Sequence, residues 1–397
     1  MRSALNVPVT SSGGTLDAEV LPVASLTGED WANWTAWRAA DVRFVSPYFH
    51  PAFARIAARV SPGSGVAVFQ RGGRPVGYYA FQRRGGALQP LAAPMSDYHG
   101  VITAPGESVT LEDAARLLHP ARFSVSAWVG EADGGLERSS LMSTAPEGGY
   151  EVWYAERRKR FRKYFKDKER ARRGLEADLG TVRVDFGLRD PALLDRLISL
   201  KRDQYRRTGR HDIFACGWTA ELLRALMEEP EDGLGASICA LWAGDQLTAL
   251  EYSLHSEDQY HFWFPAYEPT LARCSPGILL SLETMRIAMP QGYRVFDYGF
   301  GGETYKKYFV DAERSVREAV VLRPGVTALA GDLAGGMLGL AGEARSQKIR
   351  TSVRRRWAAI EACETSSWGR FKGAVGAARA AAGKLRQAGP ALAGDAT

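Results

Sequence analysis

The sequence predicts an α/β protein (α+β in its arrangement) with two copies of one unit and a basic helical tail. Each unit is expected to hold a mixed central sheet flanked by helices. Three observations favour this class. The order helix pair, hairpin, strand, helix, strand occurs twice without visible sequence identity. A chain of 397 residues, 45% hydrophobic and 24% charged, suffices for two ordinary domains. Past Pro324, Ala, Gly and Arg dominate, which indicates a tail over residues 326–397.

The first copy is expected over residues 20–150, after a Ser-, Thr- and Gly-rich lead-in, residues 1–19, predicted to be disordered. Helical patterns mark WANWTAWRAA and PAFARIAARV. A hairpin around Gly72-Gly73 joins SGVAVFQR to RPVGYYAFQRR. A Pro-rich loop, LQPLAAPMSDYHG, then leads to a predicted helix, TLEDAARLL, and a strand, ARFSVSAWV.

The second copy is expected over residues 151–325 and begins with a basic run, Glu156 to Arg173, predicted to be one helix ending at Gly174 or Gly180. A strand, TVRVDFG, and two helices follow, PALLDRLISLKRDQYRRTG and WTAELLRALMEE. A hairpin across Gly244-Asp245 joins ASICALWA to QLTALEYSLH. The unit then continues through a strand, a helix and a strand: QYHFWFPAY, ILLSLETMRIAMPQG and YRVFDYG.

Charge is unevenly distributed along the chain. The run Arg157–Arg173 carries eleven Lys/Arg against two acids, and residues 343–386 carry eleven against three. Because the whole chain is only +6, the remainder sums to about −11. Two basic segments on an acidic body favour a phosphate, a nucleotide or an anionic membrane as partner, and no role in binding DNA is expected.

The four cysteines lie at 216, 239, 274 and 363, with no Cys-x-x-Cys spacing. This pattern argues against a disulfide framework and a zinc site, so no metal is expected. The first residues hold no apolar run typical of a secretion signal, and no stretch of about 18 apolar residues occurs. We therefore expect a cytoplasmic protein.

A loop between strand and helix, Arg273-Cys-Ser-Pro-Gly277, is the first candidate binding site. The first N–H groups of a helix have no partner within it, and together with the helix dipole they attract anions. We predict that Arg273, Ser275 and Gly277 hold the phosphates of a cofactor.

The order SPG, helix, YRVFDYG, then GGETYKKYF, resembles the C-terminal module of the CelD/BcsL-type acetyltransferases, which are GNAT-fold relatives of the FemAB peptidyltransferases. The matching positions are Pro276, Gly277, Asp297, Gly299, Gly301, Tyr305 and Lys306. LEADLGTVRVDF and PMSDYHG are also similar, so the resemblance covers roughly residues 20–325.

This resemblance implies two tandem GNAT-like domains and acyl transfer from acetyl-CoA to a sugar amine or hydroxyl of a bacterial exopolysaccharide of the holdfast or cellulose kind. Acetyl-CoA would lie along QYHFWFPAY, beside Phe264, with its pyrophosphate at Arg273–Gly277 and Lys306 as a further phosphate contact. The chain departs from the usual Arg/Gln-x-x-Gly-x-Gly/Ala loop at Pro276, which supplies no N–H. An aminoacyl-tRNA donor, as in the Fem relatives, therefore stays open.

Acyl transfer needs a base for the acceptor and an acid for the leaving thiolate. Alternation places Glu251 among apolar neighbours, where burial would raise its pKa toward the working pH, unless it simply pairs with an arginine. His261 titrates near neutrality and is the other candidate base, or else a half-buried structural histidine. Asp297 ends a strand before glycines, so a site role or a helix cap is expected. Tyr305 could protonate the thiolate.

The acceptor is expected in a cleft between the halves. Asp97, Tyr98 and His99 lie on a loop and could line it, although turn chemistry explains Ser96-Asp97 equally well. Glu303, in the Gly-rich turn after YRVFDYG, is the remaining substrate-binding candidate.

The tail is rich in arginine, and we assign its candidate regulatory or membrane residues to Arg350, Arg354, Arg355 and Arg356. With nearby tryptophans they favour peripheral contact with the inner face of the plasma membrane. Arg350-x-x-x-Arg354 also resembles the arginine pair of PilZ domains, which implies cyclic-di-GMP as a ligand. A tail that binds neither is the third interpretation.

Three hypotheses for function follow. The first is a cytoplasmic GNAT-fold N- or O-acetyltransferase acting on an exopolysaccharide or its sugar precursor. The second is a Fem-type aminoacyl-tRNA-dependent transferase of peptidoglycan. The third is a non-catalytic regulator that uses the GNAT fold as a scaffold.

Overall fold

The computed structural model describes residues 14–229, 233–300, 304–323, 355–366 and 368–376. The strands are β1 (Leu16–Leu21), β2 (Ser64–Arg71), β3 (Arg74–Arg84), β4 (Ala87–Pro90), β5 (Ile102–Thr103), β6 (Arg122–Trp128), β7 (Leu136–Thr144), β8 (Val182–Leu188), β9 (Gly235–Ala243), β10 (Gln246–Ser256), β11 (Gln259–Tyr267), β12 (Val295–Asp297) and β13 (Ala312–Leu322). The helices are α1 (Gly28–Ala40), α2 (Pro51–Val60), α3 (Leu111–Leu118), α4 (Gly149–Arg160), α5 (Arg162–Leu179), α6 (Pro191–Thr208), α7 (Trp218–Glu228) and α8 (Pro276–Ala288).

Backbone contacts divide the chain into two compact units. Unit 1 comprises residues 1–92, 96–139 and 315–326, and unit 2 comprises residues 93–95, 140–314 and 327–397. Two of the boundaries fall within β7 and β13, strands that the sequence patterns do not predict, and two more lie in the loop after β4.

The sheet of unit 1 runs in the order β1, β2, β3, β4, β6, β13. β1 to β4 form an antiparallel meander, β4 pairs in parallel with β6, and β6 pairs antiparallel with β13. α1 and α2 follow β1, and α3 precedes β6. Thr27 and Thr110 cap α1 and α3 in reciprocal capping boxes with Asp30 and Asp113.

The sheet of unit 2 repeats this order as β8, β9, β10, β11, β12 and the end of β7. The first four strands again form an antiparallel meander, β11 pairs in parallel with β12, and β12 pairs antiparallel with β7. α6 and α7 follow β8, and α8 precedes β12. The prediction of a mixed sheet flanked by helices in each half is confirmed.

Two predicted elements need correction. The basic run is not one helix, because it breaks at Phe161 (φ −125°, ψ 47°) into α4 and α5, and α5 ends at Gly180. The Phe161 ring packs edge-on against Tyr308 at 5.3 Å, so tertiary packing holds the break. Residues 16–19, predicted to be disordered, form part of β1 and pair with β2.

The described part of the tail is helical over residues 355–363 and 368–376 and packs within unit 2. Ile360, Ala362 and Cys363 are buried, and the Trp218 indole N–H donates to the Cys363 carbonyl at 3.3 Å. Among the residues that the structure describes, no helix combines the length and the apolar character needed to span a bilayer.

Candidate active site

The two parallel strands of unit 2 separate at one point. β11 pairs with β12 only at Gln259–His261, opposite Val295–Asp297. β11 then continues to Tyr267 while β12 ends, and within the described ranges no strand pairs with residues 262–267 on that side. Backbone N–H and C=O groups along such an edge can bond to an extended ligand that carries amides.

The N-terminus of α8 lies just beyond β11 in the chain. Pro276 occupies its first position and Ser275, in the left-handed conformation, precedes it without a side-chain cap. The Ile278 N–H donates to the Ser275 carbonyl, whereas no backbone acceptor for the Gly277 N–H lies among the described residues. A Cβ added to Gly277 would meet only Tyr267, at 3.6 Å, which is an ordinary van der Waals contact, so the immediate surroundings of Gly277 are not crowded.

Lys168 of α5 supplies a cation at the same point. Its Nζ donates to Ser275 Oγ at 2.8 Å. Partial burial lowers the pKa of Lys168, and the charge of Asp167 opposes that shift. Lys168 and the N-terminus of α8 together place a cation beside the positive end of a helix dipole, and this chemistry suits a diphosphate.

His261 and Asp297 lie side by side where β11 and β12 separate. They are register partners in the parallel pair, and His261 Nδ1 lies 3.6 Å from Asp297 Oδ1. Both side chains are buried, and both point away from α8, because Tyr260, Phe262 and Phe296 pack in the cluster that contains α8 residues. A carboxylate facing Nδ1 orients an imidazole so that Nε2 is its basic nitrogen.

Asp297 is held as a carboxylate. Burial alone would raise its pKa, but hydrogen bonding and charge from His261, the Arg314 charge and the Gly299 N–H outweigh burial and lower it. The Gly299 N–H donates to Oδ1 at 2.7 Å, and Ser140 Oγ donates to the same oxygen at 3.3 Å. The pair therefore combines a fixed anion with a titratable ring.

Glu251 lies on the opposite face of β10, under α8. Burial raises its pKa to about 8, although hydrogen bonds from Ser281 and Ser253 and the charge of His261 act the other way. Ser281 Oγ donates to Glu251 Oε2 at 3.0 Å and is 3.2 Å from the Gly277 carbonyl. Glu251 is thus linked through one hydroxyl to the first turn of α8.

Residues after β12 pack against the aromatic cluster that contains Phe262 and Phe296. Tyr305 is partly buried, and its ring meets Phe309 edge-on at 6.1 Å. Lys306 is buried and its Nζ donates to the Tyr298 carbonyl at 2.7 Å. Its role as a phosphate contact stays a prediction, as does that of Glu303, which lies outside the described residues together with Gly301.

Two residues that we predicted to bind the cofactor have contacts with side chains of the protein. Arg273, on a short 3-10 turn, forms an exposed ion pair with Asp178 at 2.6 Å. Phe264 is buried and packs edge-on against Phe214 at 5.5 Å. Their roles in cofactor binding stay predictions.

In unit 1 the parallel strands that correspond to β11 and β12 are β4 and β6. β4 and β6 pair only at Ala87–Leu88, and β4 ends two residues later at Pro90. Beyond that point the chain covers the edge of β6, because the His99 N–H donates to the Ala127 carbonyl and the Val129 N–H donates to the His99 carbonyl. His99 Nε2 also accepts from the Ala127 N–H at 3.0 Å, and burial lowers the pKa of His99 to about 3. In the described chain, unit 1 therefore has no counterpart of residues 262–267, where β11 continues beyond its parallel pairing with β12.

The neighbours of His99 are placed as follows. Tyr98 is buried against Tyr48, with ring centroids 6.0 Å apart, and Asp97 is partly exposed. The proposed contact of these three residues with an acceptor stays a prediction.

Lys168 was not singled out from the sequence. Phe165 and Leu175, three residues before and seven after it, are buried on the same helix. Helical spacing from these two apolar residues could have marked Lys168 and Arg172 as the cations that face the body. Arg172 indeed pairs with Glu283 of α8.

The tail arginines are only partly described. Arg350 and Arg354 lie outside the described residues, Arg355 is exposed, and Arg356 donates to the Gly209 carbonyl at 2.8 Å. A cavity of about 450 Å³ lies beside this contact, lined in part by Arg206, Arg210 and Lys372. In the part of the chain covered by the structure, no group of three or more His, Cys, Asp or Glu side chains is arranged to hold a metal ion.

Residues 159–307 match the family model described as "Acetyltransferase (GNAT) domain". This match spans α5 to the turn after β12 and so includes the parted strands and the α8 N-terminus. The chain therefore contains a domain of GNAT acyltransferase fold. No curated protein sequence matches the chain significantly.

Several solved structures are similar at low identity. The C-terminal domain of a putative lysylphosphatidylglycerol synthetase from Agrobacterium fabrum is 11% identical, with 77% of this chain and 94% of that chain covered and a TM-score of 0.46. A tandem GNAT protein from the clavulanic acid biosynthesis pathway is 11% identical, with 77% and 98% covered and a TM-score of 0.45. FemX is 9% identical, with 78% and 99% covered and a TM-score of 0.46. Likenesses this distant do not indicate a common substrate.

Proposed function

We propose that unit 2 is an acyl-CoA-dependent N- or O-acetyltransferase whose donor lies along the open edge of β11. The observation that carries this proposal is the parting of β11 and β12 at His261 and Asp297, directly before a helix end with an adjacent lysine. The edge suits the amides of the pantetheine arm, and Gly277 with Lys168 suits the pyrophosphate. Acetyl-CoA would supply the activated thioester.

In this proposal the His261–Asp297 pair removes the proton from the acceptor. Asp297 stays ionised because of its hydrogen bonds, and it stabilises the imidazolium that forms when His261 accepts a proton. Burial of both groups strengthens this interaction, since little water screens it. Tyr305 is proposed as the donor of a proton to the leaving thiolate.

Glu251 is proposed to act from the other face of the sheet, under α8. With a pKa of about 8 it is largely protonated at neutral pH and can exchange a proton near the working pH. Its contact with Ser281 also supports a role in fixing the first turn of α8, where the pyrophosphate would bind.

The acceptor is proposed to be a bacterial exopolysaccharide of the holdfast or cellulose kind, or its sugar precursor. The support is the motif order that ends at Tyr305 and Lys306. The tail is proposed to contact an anionic membrane, supported by the exposed rings of Trp357, Trp368 and Phe371. Regulation by cyclic-di-GMP is proposed on the basic cavity beside Arg356.

A Fem-type aminoacyl-tRNA-dependent transferase is the alternative, and one observation favours it. α4 and α5 expose a row of cations that would suit a polyanion, formed by Lys159, Arg160, Arg162, Lys163 and Lys166. A non-catalytic regulator is the third hypothesis.

The test is turnover by the full-length protein. Acetyl-CoA is supplied with amino-sugar or neutral β-glucan oligosaccharides, and both free thiol release and the mass gain of one acetyl group are followed. We expect turnover by the wild type, strong loss in Asp297→Asn, and no loss in Asp195→Asn, an exposed aspartate on α6. Transfer from aminoacyl-tRNA to a peptidoglycan precursor, with none from acetyl-CoA, would favour the alternative. Turnover unaffected by Asp297→Asn would overturn the assigned site.

A further inference from the structure

Two cysteines far apart in sequence meet where the tail packs on unit 2. Cys216 Sγ lies 3.2 Å and Cys363 Sγ 3.9 Å from the same acceptor, the Ile213 carbonyl oxygen. Cys363 belongs to the helical segment 355–363, and Cys216 lies two residues before α7. Within the described residues, neither cysteine is joined in a disulfide.

The two thiols differ in access and in acidity. Cys216 is partly exposed, whereas Cys363 is buried. A hydrogen bond from Cys363 lowers the pKa of Cys216 to about 7, against the effect of burial, and contacts with Thr219 add to this. The position just before the N-terminus of α7 stabilises a thiolate further.

The other two cysteines lack these properties. Cys239 is fully buried, and burial raises its pKa to about 11. Cys274 is buried in the cluster beneath the start of α8. Cys216 is therefore the thiol that an oxidant would reach and that would react as a thiolate.

We propose that Cys216 and Cys363 form a reversible thiol modification site, in which a hydroperoxide oxidises Cys216 and Cys363 closes a disulfide that fixes the tail to unit 2. The Cys216 thiolate attacks one peroxide oxygen, the O–O bond breaks, and the other oxygen leaves with a proton. Cys216 becomes a sulfenic acid and the peroxide is reduced. The Cys363 sulfur then attacks the sulfenic sulfur, the S–S bond forms, and the S–O bond breaks to release water with the Cys363 proton.

Contacts around the pair already hold the tail in place for this reaction. The Trp218 indole donates to the Cys363 carbonyl, and Arg356 donates to the Gly209 carbonyl. The disulfide would close a loop of roughly 150 residues, and in a reducing compartment such a bond is expected to be transient and regulatory. The same segment lines the basic cavity, so oxidation would hold one wall of that cavity fixed.

The rate of modification follows from the acidity of Cys216. At pH 7 about half of a thiol with a pKa near 7 is ionised, compared with about 1% at the ordinary value of 9.0. Lower nucleophilicity offsets part of this advantage, which leaves Cys216 roughly sixfold more reactive than an unperturbed thiol.

The experiment uses the reduced full-length protein. It is treated with hydrogen peroxide, blocked with a maleimide, digested without reductant and examined by mass spectrometry. We expect one cross-linked peptide pair, Cys216 with Cys363, that disappears on reduction, and slower amide exchange over residues 355–363 in the oxidised protein. In Cys363→Ser, Cys216 should be trapped as a sulfenic acid by dimedone, while Cys274→Ser should cross-link like the wild type.

If a variant fails to fold, the cross-linking and the amide exchange of the wild-type protein still decide whether the proposal holds. Oxidation that leaves Cys216 and Cys363 uncross-linked, or that joins Cys216 to another chain or to Cys274, would overturn the proposal. A cross-link that leaves amide exchange over residues 355–363 unchanged would overturn its effect on the tail. None of these results depends on acyltransferase activity.

Discussion

Replacing Glu251 with glutamine should remove a specific dependence of stability on pH. The folded-state pKa of about 8 lies above the ordinary value of 4.5, so folding takes up a proton at neutral pH. The stability that comes from this proton uptake is fully present below the unfolded-state pKa of Glu251, and it is lost as the pH rises through the folded-state pKa. Wild-type protein should therefore lose stability toward alkaline pH in a way that Glu251→Gln does not.

The size of the effect follows from the two pKa values. The difference between 4.5 and about 8 corresponds to roughly 5 kcal/mol when the group titrates completely. Between pH 5 and pH 9 the share that is lost comes to about 4 kcal/mol by the same linkage relation. Glutamine keeps a side-chain oxygen that can accept from Ser281, so the fold should be retained.

The assay is urea unfolding of both proteins at several pH values from 5 to 9. Taking the difference between them cancels the titration of all other groups, and the gap should widen as the pH rises. Glu283→Gln, which alters a carboxylate of α8 paired with Arg172, serves as the matched control. Parallel curves for wild type and Glu251→Gln would show that Glu251 is not held protonated by burial.

Three further predictions concern catalysis, donor binding and the tail. Asp297→Asn should lower kcat by about 10²–10⁴-fold with little change in the KM for acetyl-CoA, measured by steady-state kinetics against Asp195→Asn. Lys168→Ala should raise the KM for acetyl-CoA about tenfold with kcat nearly unchanged. Lys166→Ala, which changes an exposed lysine on the same helix, should leave that KM unchanged. Equal effects of the two substitutions would contradict the assignment of Lys168 to the pyrophosphate. Removing residues 325–397 should lower the Tm by about 10 °C in calorimetry, because residues 360–363 are buried, and an unchanged Tm would mean that the tail does not pack there.

The sequence was sufficient for much of the order of elements, because each predicted element has its own periodic pattern and its own turn residues, but it did not predict β7 and β13. The hairpins at Gly72-Gly73 and Gly244-Asp245 are local signals, and they are confirmed. The break at Phe161 is not local. It depends on packing against Tyr308, more than 140 residues away, so the basic run looked like one uninterrupted helix.

The candidate site was predicted residue by residue but not as an arrangement. Glu251, His261 and Asp297 were each selected by residue type and position on a strand. Their arrangement depends on the parallel register of β11 and β12 and on which face of the sheet each side chain occupies. One sequence does not contain that register, so it could not reveal that His261 faces Asp297 while Glu251 lies under α8.

The choice between the two halves also required the structure. PMSDYHG in the first half has the composition of a site motif, but the backbone and the ring of His99 form hydrogen bonds with the backbone of β6. In contrast, the edge of β11 is open beside the helix end at Gly277. We therefore propose that the acyl donor binds to unit 2.

The most direct test is a crystal structure of the full-length protein with coenzyme A. The account predicts one coenzyme A per chain, with its pyrophosphate within hydrogen-bonding distance of the Gly277 N–H and Lys168 Nζ and its pantetheine arm beside β11. Coenzyme A bound anywhere else, or no binding at saturating concentration, would contradict it.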